Sequence, residues 1–525
     1  MAGKKEFNIT GLCIPRLHYM ADTSEKISLI IDKYIERDAY FTINCARQYG
    51  KTTTLELLYH RLKNDYIVLD LSFEASDDCF ESIFSLAQGF SNKIAEALLL
   101  NDVSDTLLEI FREPVSGTLP MDDLNRRITK LCRISSREII LMADETDKAA
   151  DNQLFLLLLG LLRQKYLRRN AGRDATFKSV ILAGVHDIKN LKMKLRPEQS
   201  QQYNSPWNIA ADFQIDMGFS VKEIESMLLE YEADYHTGMD VHAIACELHK
   251  YTGGYPFLVS WLCKKIDEEH LHWNADGLRT ALNALLRGTN TLFDDVIKNL
   301  ENYEDFRKLA EAVLIQGEAV PFVLSNPEIA RGAMYGIFQN KDGQVGISNL
   351  VFETYIYEYL ISVNKTKNLL LPKYADKFQY IRNGRLDMKL VLEKFAMFLK
   401  SEYRREDEGF VERQGRLLFL CFLRPIINGT GHYAVESQTR QNTRMDIQVF
   451  YGPEEFIVEL KLWHGIKKER EGYEQLAGYL EARGAEQGYL VSFCENQKSP
   501  GESREIECNG RRIYEVIIAY REKET

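Results

Sequence analysis

Short apolar runs alternate with stretches of helical periodicity over about the first 220 residues. The apolar runs predict strands at residues 39–45, 66–72, 138–143 and 178–184, and an amphipathic helix is predicted at residues 24–36. Between the strands, the periodicity predicts a helix at residues 51–63, further helices between the second strand and about residue 134, and a helix at residues 152–168. Because strands separated by helices pair in parallel through right-handed crossovers, this region predicts an α/β domain with a parallel sheet.

The pattern changes twice further along the chain. Residues 220–300 are mostly helical, with an interruption at TGGYPF, and residues 300–362 predict short helices followed by a hairpin centred on GIFQNKDGQVGISN, as in a winged-helix module. After LLLPKYADK the prediction is a helix at 385–405, a helix at 410–423, three strands between 432 and 462, a helix at 469–483 and two closing strands. The chain is therefore predicted to be an α/β multidomain protein.

Composition narrows the class of protein. At 525 residues the chain is too long for one hydrophobic core, and 45% hydrophobic with 27% charged residues is typical of soluble globular proteins. MAGKKEFNIT lacks the apolar stretch of a secretory signal, and no run reaches the ~18 apolar residues of a membrane span. We therefore expect a cytoplasmic protein with no membrane partner. The nine cysteines occur singly, which argues against disulfides and structural zinc.

The net charge of −11 argues against a protein that coats nucleic acid nonspecifically, because such binding needs a dense basic surface that releases counterions. It does not exclude an enzyme that contacts DNA through a local basic groove.

The segment FTINCARQYGKTTTL predicts a strand, a GKT loop and a helix, which is the arrangement of a nucleotide-binding P-loop. Gly50, Lys51 and Thr52 fill the GK(S/T) end of the loop motif, with Thr52 placed to give its hydroxyl to Mg²⁺. Cys45 stands where such loops have their first glycine, which favours secure binding over fast turnover. The nucleotide-binding prediction also includes the flanking residues Gln48, Tyr49 and Thr53.

The second half of an ATP site is a buried strand that ends in acids, and REIILMADETDKA supplies one. Asp144 is predicted to hold Mg²⁺ through water, and Glu145 to polarise the attacking water. A further strand, SVILAGVHDI, ends near His186, which is predicted to approach the γ-phosphate. The alternative for His186 is an ordinary turn at the end of a strand.

Near the C-terminus, RMDIQVF and FIVELKL place acids and an amine on two neighbouring strands. Glu459 and Lys461 are two apart and so share one face of their strand. A hairpin brings Asp446 to Glu459. Two carboxylates and a cation are what metal-assisted phosphodiester cleavage requires, so a Mg²⁺ site is predicted here.

This D-x₁₂-ExK spacing resembles the PD-(D/E)XK nuclease superfamily. The resemblance extends to Glu412, which resembles the superfamily's helical acid and metal ligand, and to Gln475 with Tyr479, which resemble its QxxxY element beside the active site. Met445 stands where the superfamily has a proline. Basic residues around the acids form a local groove for DNA or are ordinary solvated charges: Arg440, Arg444, Lys467, Lys468 and Arg470.

Residues from Phe7 to about Ile361 resemble the AAA-ATPase-like family of bacterial proteins, relatives of archaeal ATPases and signalling NTPases. The motifs that carry this resemblance are TGLCIPRLHYM, ARQYGKTT, MADETDKA, AGVHDIKNLK with SPWNIAADF, and TGGYPF. The resemblance implies ATP and Mg²⁺ as cofactors and places Tyr255 and Pro256 in a helical lid near the nucleotide. It also implies that a nuclease domain follows the ATPase.

These observations predict five segments: a P-loop NTPase domain (1–220), a helical lid (221–299), a winged-helix-like module (300–362), a helical linker (363–408) and a nuclease-like domain (409–525). The function they predict is an ATP-controlled, Mg²⁺-dependent DNA nuclease, and the resemblance suggests a role in defence or conflict between mobile elements. The alternatives are a nucleotide-dependent switch or scaffold that binds nucleic acid without cutting it, and an RNA target. A homo-oligomer is left open because related ATPases complete their sites with neighbouring subunits.

Overall fold

A computed structural model of the 525-residue chain describes residues 4–74, 76–146, 153–185, 207–314, 319–367, 377–382, 384–402, 412–427, 431–438, 444–462, 466–494 and 503–519. The chain divides into two compact units. The first comprises residues 1–278 and 331–336, and the second comprises residues 279–330 and 337–525. Within the described ranges, every helix is either too short or too polar to cross a lipid bilayer.

A four-stranded parallel sheet forms the centre of the first unit, as the alternating pattern predicts. Its strands lie in the order β1-β4-β3-β2, and their bounds are β1 Tyr40–Asn44, β2 Ile67–Ser72, β3 Ile139–Asp144 and β4 Ser179–Gly184. On the far side of β1, Ala211 makes a single parallel bridge to Phe41. Because β4 lies between β1 and β3, the carboxyl ends of β1 and β3 flank a point where the strand order reverses, which is where open α/β sheets bind ligands.

Both faces of this sheet are covered, so β3 and β4 are buried along their whole length and are mostly apolar. Leu141 and its same-face neighbours pack with helix residues such as Phe90 and Leu158. Ile140 and Met142 point to the other face. The helices of this unit are α1 Ser24–Ile30, continued by a π-helical turn at Ile31–Ile35, α2 Lys51–Leu62, α3 Ile83–Leu99, α4 Asp105–Leu108, α5 Pro120–Ile134, α6 Gln153–Asn170, α7 Val221–Tyr235, α8 Val241–Thr252 and α9 Pro256–Glu268.

The next elements along the chain are helices and one hairpin, as predicted for residues 300–362. The hairpin turns at Asp342 and Gly343, whose φ angles of 51° and 84° fit a two-residue turn. The elements are α10 Ala275–Arg287, α11 Thr291–Asn302, α12 Glu304–Leu314, α13 Pro327–Met334, β5 Phe338–Lys341, β6 Gln344–Ile347 and α14 Leu350–Lys367.

A mixed six-stranded sheet dominates the C-terminal part of the second unit, in the order β13-β14-β12-β11-β10-β9. Its strands β9 to β11 are antiparallel neighbours, whereas β11, β12 and β14 are parallel. The elements are β7 Ile381–Arg382, β8 Arg385–Leu386, α15 Met388–Glu402, α16 Glu412–Ile427, β9 Gly431–Gln438, β10 Arg444–Tyr451, β11 Glu454–Leu462, α17 Ile466–Arg483, β12 Gln487–Cys494, β13 Arg504–Cys508 and β14 Arg511–Ala519.

Two predictions for this region are wrong in detail. Three strands close the sheet where two were predicted, because Asn509 and Gly510, with φ angles of 51° and 72°, turn the chain back on itself between β13 and β14. The helix predicted at 385–405 begins at Met388, because the preceding residues form the small β7-β8 hairpin.

Candidate functional site

The loop after β1 has the backbone geometry of an anion-binding turn. Gln48 and Gly50 adopt left-handed conformations, with φ angles of 57° and 78°, and Gly50 caps α2 at its N-terminus. Cys45 does not adopt such a conformation, and its amide N–H continues the pairing with β4 by donating to Gly184. The backbone at position 45 therefore does not require glycine.

Lys51 lies at the centre of this loop. Its Nζ donates hydrogen bonds to the carbonyl oxygens of Cys45, at 2.9 Å, and Ala46, at 2.8 Å. The loop thus curls around an ammonium group at the N-terminus of a helix. Converging backbone amides, a helix N-terminus and a lysine are the features that bind phosphate groups.

Thr52 and Asp144 meet although they are 92 residues apart in sequence. The Thr52 hydroxyl donates to Asp144 Oδ2 at 2.7 Å, and the backbone amide of Glu145 donates to Asp144 Oδ1 at 2.8 Å. Asp144 is buried. A hydroxyl and a carboxylate oxygen at this separation form a hard-oxygen donor set that fits Mg²⁺, so the two residues predicted to hold the metal lie together.

Glu145 follows Asp144 at the carboxyl end of β3 and is half-buried. Its backbone is left-handed, with φ of 56°, which is uncommon for a residue with a side chain and typical of functional turns. The next residue, Thr146, donates from its hydroxyl to the carbonyl of Ala183 on β4, which fixes the turn. His186 lies outside the described residues.

The interruption TGGYPF joins helices α8 and α9 and contacts the loop. The Tyr255 hydroxyl donates to the carbonyl oxygen of Arg47 at 2.5 Å, and its ring stands edge-on to Tyr49 with centroids 4.6 Å apart. Burial raises the pKa of Tyr49. Tyr255 is itself buried, so it acts on the shape of the loop, whereas Pro256 lines the adjoining cavity.

That cavity has a volume of 370 Å³, within the usual range for small-molecule sites. One end of it is lined by the loop residues Gln48, Tyr49 and Gly50 and by Thr53 in the first turn of α2. Its other walls come from the N-terminal segment, from α1 and α2, and from the helical region after residue 216: Asn8, Ile9, Thr10, Gly11, Cys13, Tyr19, Met20, Ala21, Thr23, Lys26, Ile27, Thr54, Leu57, Met217, Phe219, Met227, Pro256, Phe257 and Ser260.

The N-terminal segment, residues 4–22, supplies several of the cavity residues and is held in place mainly by helix α7. Phe7 and Tyr19 pack against Tyr231 of α7, with ring centroids 5.1 and 5.3 Å away, and the Tyr19 hydroxyl donates to Asp234 at 2.7 Å. The backbone amide of Cys13 donates to the Thr53 hydroxyl of α2 at 3.3 Å. Residue-level roles for this segment were missed from sequence, because nothing in its local pattern shows that it returns to the P-loop.

A second group of acids lies on the face of the sheet that α2 covers. Burial and the carboxylates of Glu56 and Asp144 raise the pKa of Asp70 to about 6, although the residue keeps solvent contact. Asp70 lies on β2 beside Met142 of β3.

In the second unit, Glu459 and Lys461 form an ion pair on β11. Lys461 Nζ lies 3.0 Å from Glu459 Oε1, and the glutamate side chain is 1% exposed while that of the lysine is 33% exposed. Ile447 of β10 pairs with Val458 of β11. Because the strands are antiparallel, the same register places Asp446 opposite Glu459. The side chains of Asp446 and Glu412 lie outside the described residues, although their backbones belong to β10 and to the first turn of α16.

Helix α17 packs on the face that carries Glu459 and Lys461. Tyr479 and Leu480 contact Ile457 and Leu490 in a small core, and Gly472 approaches the stem of Lys461. Gln475 donates to the Tyr479 hydroxyl, so the predicted pair does share one side of the helix. Gln475 is exposed and Tyr479 is buried.

Four further polar side chains lie on the same face and were missed from sequence. The fully buried carboxylate of Glu515 on β14 accepts from the Ser492 hydroxyl at 2.5 Å, from the Tyr473 hydroxyl at 2.6 Å and from Arg504 Nε at 2.7 Å. Arg504 also donates to the Tyr473 oxygen at 2.7 Å. We call these four residues the Arg504 cluster. They come from three strands and a helix, which is why no local motif reveals them.

Comparisons with known proteins gave distant structural likenesses. Neither family models nor curated proteins matched the chain. It is similar to a Walker-type ATPase of Pyrococcus abyssi, at 12% identity and a TM-score of 0.45 over 67% of this chain and 99% of that one. It is also similar to Cdc6p of Pyrobaculum aerophilum (14% identity, TM-score 0.33, 65% and 95% covered) and to the ORC1 protein of Aeropyrum pernix, solved in complex with DNA (13%, 0.29, 66% and 94%). At these TM-scores the likeness carries no argument, so functional interpretation depends on the site's own geometry.

Proposed function

We propose that this chain binds ATP with Mg²⁺ in its first unit, hydrolyses it, and uses the nucleotide state to control a Mg²⁺-dependent DNA nuclease in its second unit. The observation that carries the ATP site is the 2.7 Å hydrogen bond from Thr52 to Asp144, beside a lysine-centred loop that opens onto a 370 Å³ cavity. Mg²⁺ neutralises phosphate charge when it is bound. Thr52 and Asp144 are the residues that would hold it.

The cavity supports a nucleotide as the ligand. Gln48, Tyr49, Gly50 and Thr53 bound its loop end, while Ile27, Leu57 and Phe257 offer an apolar surface to a base. Lys51, Thr52 and Asp144 lie in the same loop and strand end but do not line the cavity themselves. The volume leaves room for a nucleoside next to the loop. Glu145, at the end of β3 beside Asp144, is the proposed group that orients the attacking water.

The nuclease proposal is supported by Glu459, Lys461 and the backbone register that continues onto Asp446. The ion pair places the Lys461 ammonium beside the buried Glu459 carboxylate. A cation next to a carboxylate that can hold the metal is what metal-assisted phosphodiester cleavage requires. Oxygen donors from Asp446 and Glu459, with Glu412 as a third acid, suit Mg²⁺. Gln475 is proposed to act beside them. That the protein is cytoplasmic and that it forms a homo-oligomer remain predictions from the sequence.

Cleavage of plasmid DNA by the full-length chain tests the nuclease proposal. Purified protein is incubated with Mg²⁺, with and without ATP, and products are compared for the wild type, Lys461→Ala and the matched control Lys394→Ala. Lys394 is a half-buried lysine of α15. Its neighbour Glu393 accepts a hydrogen bond from Tyr514, which is one residue from Glu515 and therefore lies on the face of the sheet opposite Glu459. We expect cutting by the wild type and the control alone.

Two outcomes contradict this assignment. Equal cutting by the wild type and Lys461→Ala would mean that the activity does not come from this site. Retention of DNA without products in Mg²⁺ or Mn²⁺ would assign the chain instead to the alternative, a nucleotide-dependent switch that binds nucleic acid without cutting it.

A further inference from the structure

The Arg504 cluster is a built polar site that the proposed cleavage chemistry does not use. We propose that Arg504, oriented by Glu515 and Tyr473, binds a backbone phosphate of the DNA and so positions the strand across Glu459 and Lys461. This inference rests on the proposed nuclease function and adds a positioning residue to it.

The sheet register makes the cluster continuous with the proposed cleavage site. Lys461 of β11 lies directly beside Ser492 of β12, and Ser492 donates to Glu515 of β14. Arg504 of β13 lies directly opposite Glu515. With strands about 4.8 Å apart, the polar strip runs roughly 14 Å from β11 to β13. That length corresponds to roughly four nucleotide steps along one DNA strand.

All of these side chains lie on one face. Residues two apart on a strand share a face, which groups Glu459 with Lys461, and neighbours in register share it across strands. Tyr473 of α17 reaches the same face from above, because its hydroxyl contacts both Glu515 and Arg504. A strand of DNA lying along this edge of α17 would therefore meet Lys461 and Arg504 in turn.

The difference in burial between Glu515 and Arg504 indicates that the buried carboxylate orients the arginine. An ordinary surface arginine has no such buried partner. Glu515 is 0% exposed, and a buried carboxylate is costly unless it is fully paired. Its ionic partner Arg504 keeps 36% of its side chain exposed. The buried acid thus fixes one edge of a planar guanidinium whose side chain still reaches solvent. Guanidinium is the side-chain group best suited to bind phosphate through two parallel hydrogen bonds.

The test measures DNA binding by the full-length chain, with Ca²⁺ replacing Mg²⁺ so that cleavage does not interfere. The affinity of a fluorescein-labelled duplex is measured by anisotropy between about 50 and 200 mM salt. Arg504→Gln is compared with the control variant Arg512→Gln, which also removes one positive charge from this sheet. Arg512 lies on β14 three residues from Glu515, and therefore on the opposite face.

We expect Arg504→Gln to weaken binding and to reduce the slope of log affinity against log salt by about 0.9, the value for one lost phosphate contact. Arg512→Gln should keep the wild-type slope. A wild-type slope for Arg504→Gln, even with a lowered melting temperature, would mean that the cluster only holds α17 on the sheet, and it would overturn the inference.

A second variant covers the case in which Arg504→Gln does not fold. Arg504→Lys keeps the charge beside Glu515 but loses the planar fork, so we expect affinity several-fold below wild type with an unchanged salt slope. Unchanged affinity for Arg504→Lys would overturn the inference. If the wild type binds DNA but does not cut it in Mg²⁺, the nuclease proposal fails while the slope comparison still decides the role of Arg504.

Discussion

Gly254 lies between α8 and α9, the helices proposed to form a lid, and replacing it with alanine tests their connection to the P-loop. Its backbone is left-handed, with φ of 76°, and its carbonyl accepts from the Phe219 amide at 2.7 Å. An added Cβ would lie 2.1 Å from the Phe219 carbonyl oxygen, a backbone atom that cannot rotate away. The next residue, Tyr255, donates to the carbonyl of Arg47 in the loop. A shift at Gly254 is therefore expected to move Tyr255 away from the loop.

Gly238 supplies the matched control. It has nearly the same backbone conformation, with φ of 75°, but an added Cβ would meet nothing within 4 Å. Alanine in a left-handed conformation costs about 1–2 kcal/mol at either position. Overpacking adds about 1–3 kcal/mol more at Gly254 alone. The difference between the two variants thus isolates the steric contact with Phe219.

The assay combines stability with nucleotide binding. We expect Gly254→Ala to lower the free energy of unfolding by about 1–3 kcal/mol more than Gly238→Ala in urea titrations. We also expect ATP with Mg²⁺ to raise the melting temperature of Gly238→Ala as it does for the wild type, and to raise that of Gly254→Ala less. If the two variants are equally stable and respond equally to ATP, the proposed tie between lid and loop is wrong.

Two other changes test the phosphate end of the site. Thr52→Ala should abolish the increase in ATP affinity that Mg²⁺ gives, whereas Thr52→Ser, which keeps the hydroxyl beside Asp144, should retain it; calorimetry with and without EDTA measures both. The folded protein raises the pKa of Asp70 to about 6, so it favours the protonated carboxyl, and the wild type should lose stability as pH rises from about 4 to 7. Asp70→Asn does not titrate and should become more stable than the wild type over that range, by up to about 1 kcal/mol given the solvent contact of Asp70. A difference in unfolding free energy that stays constant with pH would contradict this.

Much of the geometry of the proposed ATP site was predictable because its signals are local. The apolar run of β1, the GKT sequence and the start of α2 lie within one short segment of the chain, so the loop could be predicted from that segment alone. The meeting of Thr52 with Asp144 was predictable as well, since parallel strands end at the same edge of the sheet. The break between α8 and α9 was predictable because Gly254 and Pro256 interrupt a long helical pattern, while the role of these helices as a lid stays a prediction.

What sequence did not reveal depends on long-range packing. The N-terminal segment lines the cavity because Phe7 and Tyr19 pack on α7, more than 200 residues away, and no periodicity encodes that contact. The closing hairpin of the second sheet was missed although Asn509 and Gly510 are a recognised two-residue turn, because β13 is only five residues long and three of them are charged. Glu515 was missed because a single acid in an apolar strand has no partner in its own segment.

Binding of ATP to the wild type and to Lys51→Ala tests the central claim most directly. Isothermal titration of the full-length chain with ATP and Mg²⁺ should show one bound nucleotide per chain for the wild type. Lys51 is the ammonium that the loop carbonyls of Cys45 and Ala46 surround, so its removal should abolish that binding while leaving the fold intact by circular dichroism. Equal ATP affinity in the two proteins would contradict the account.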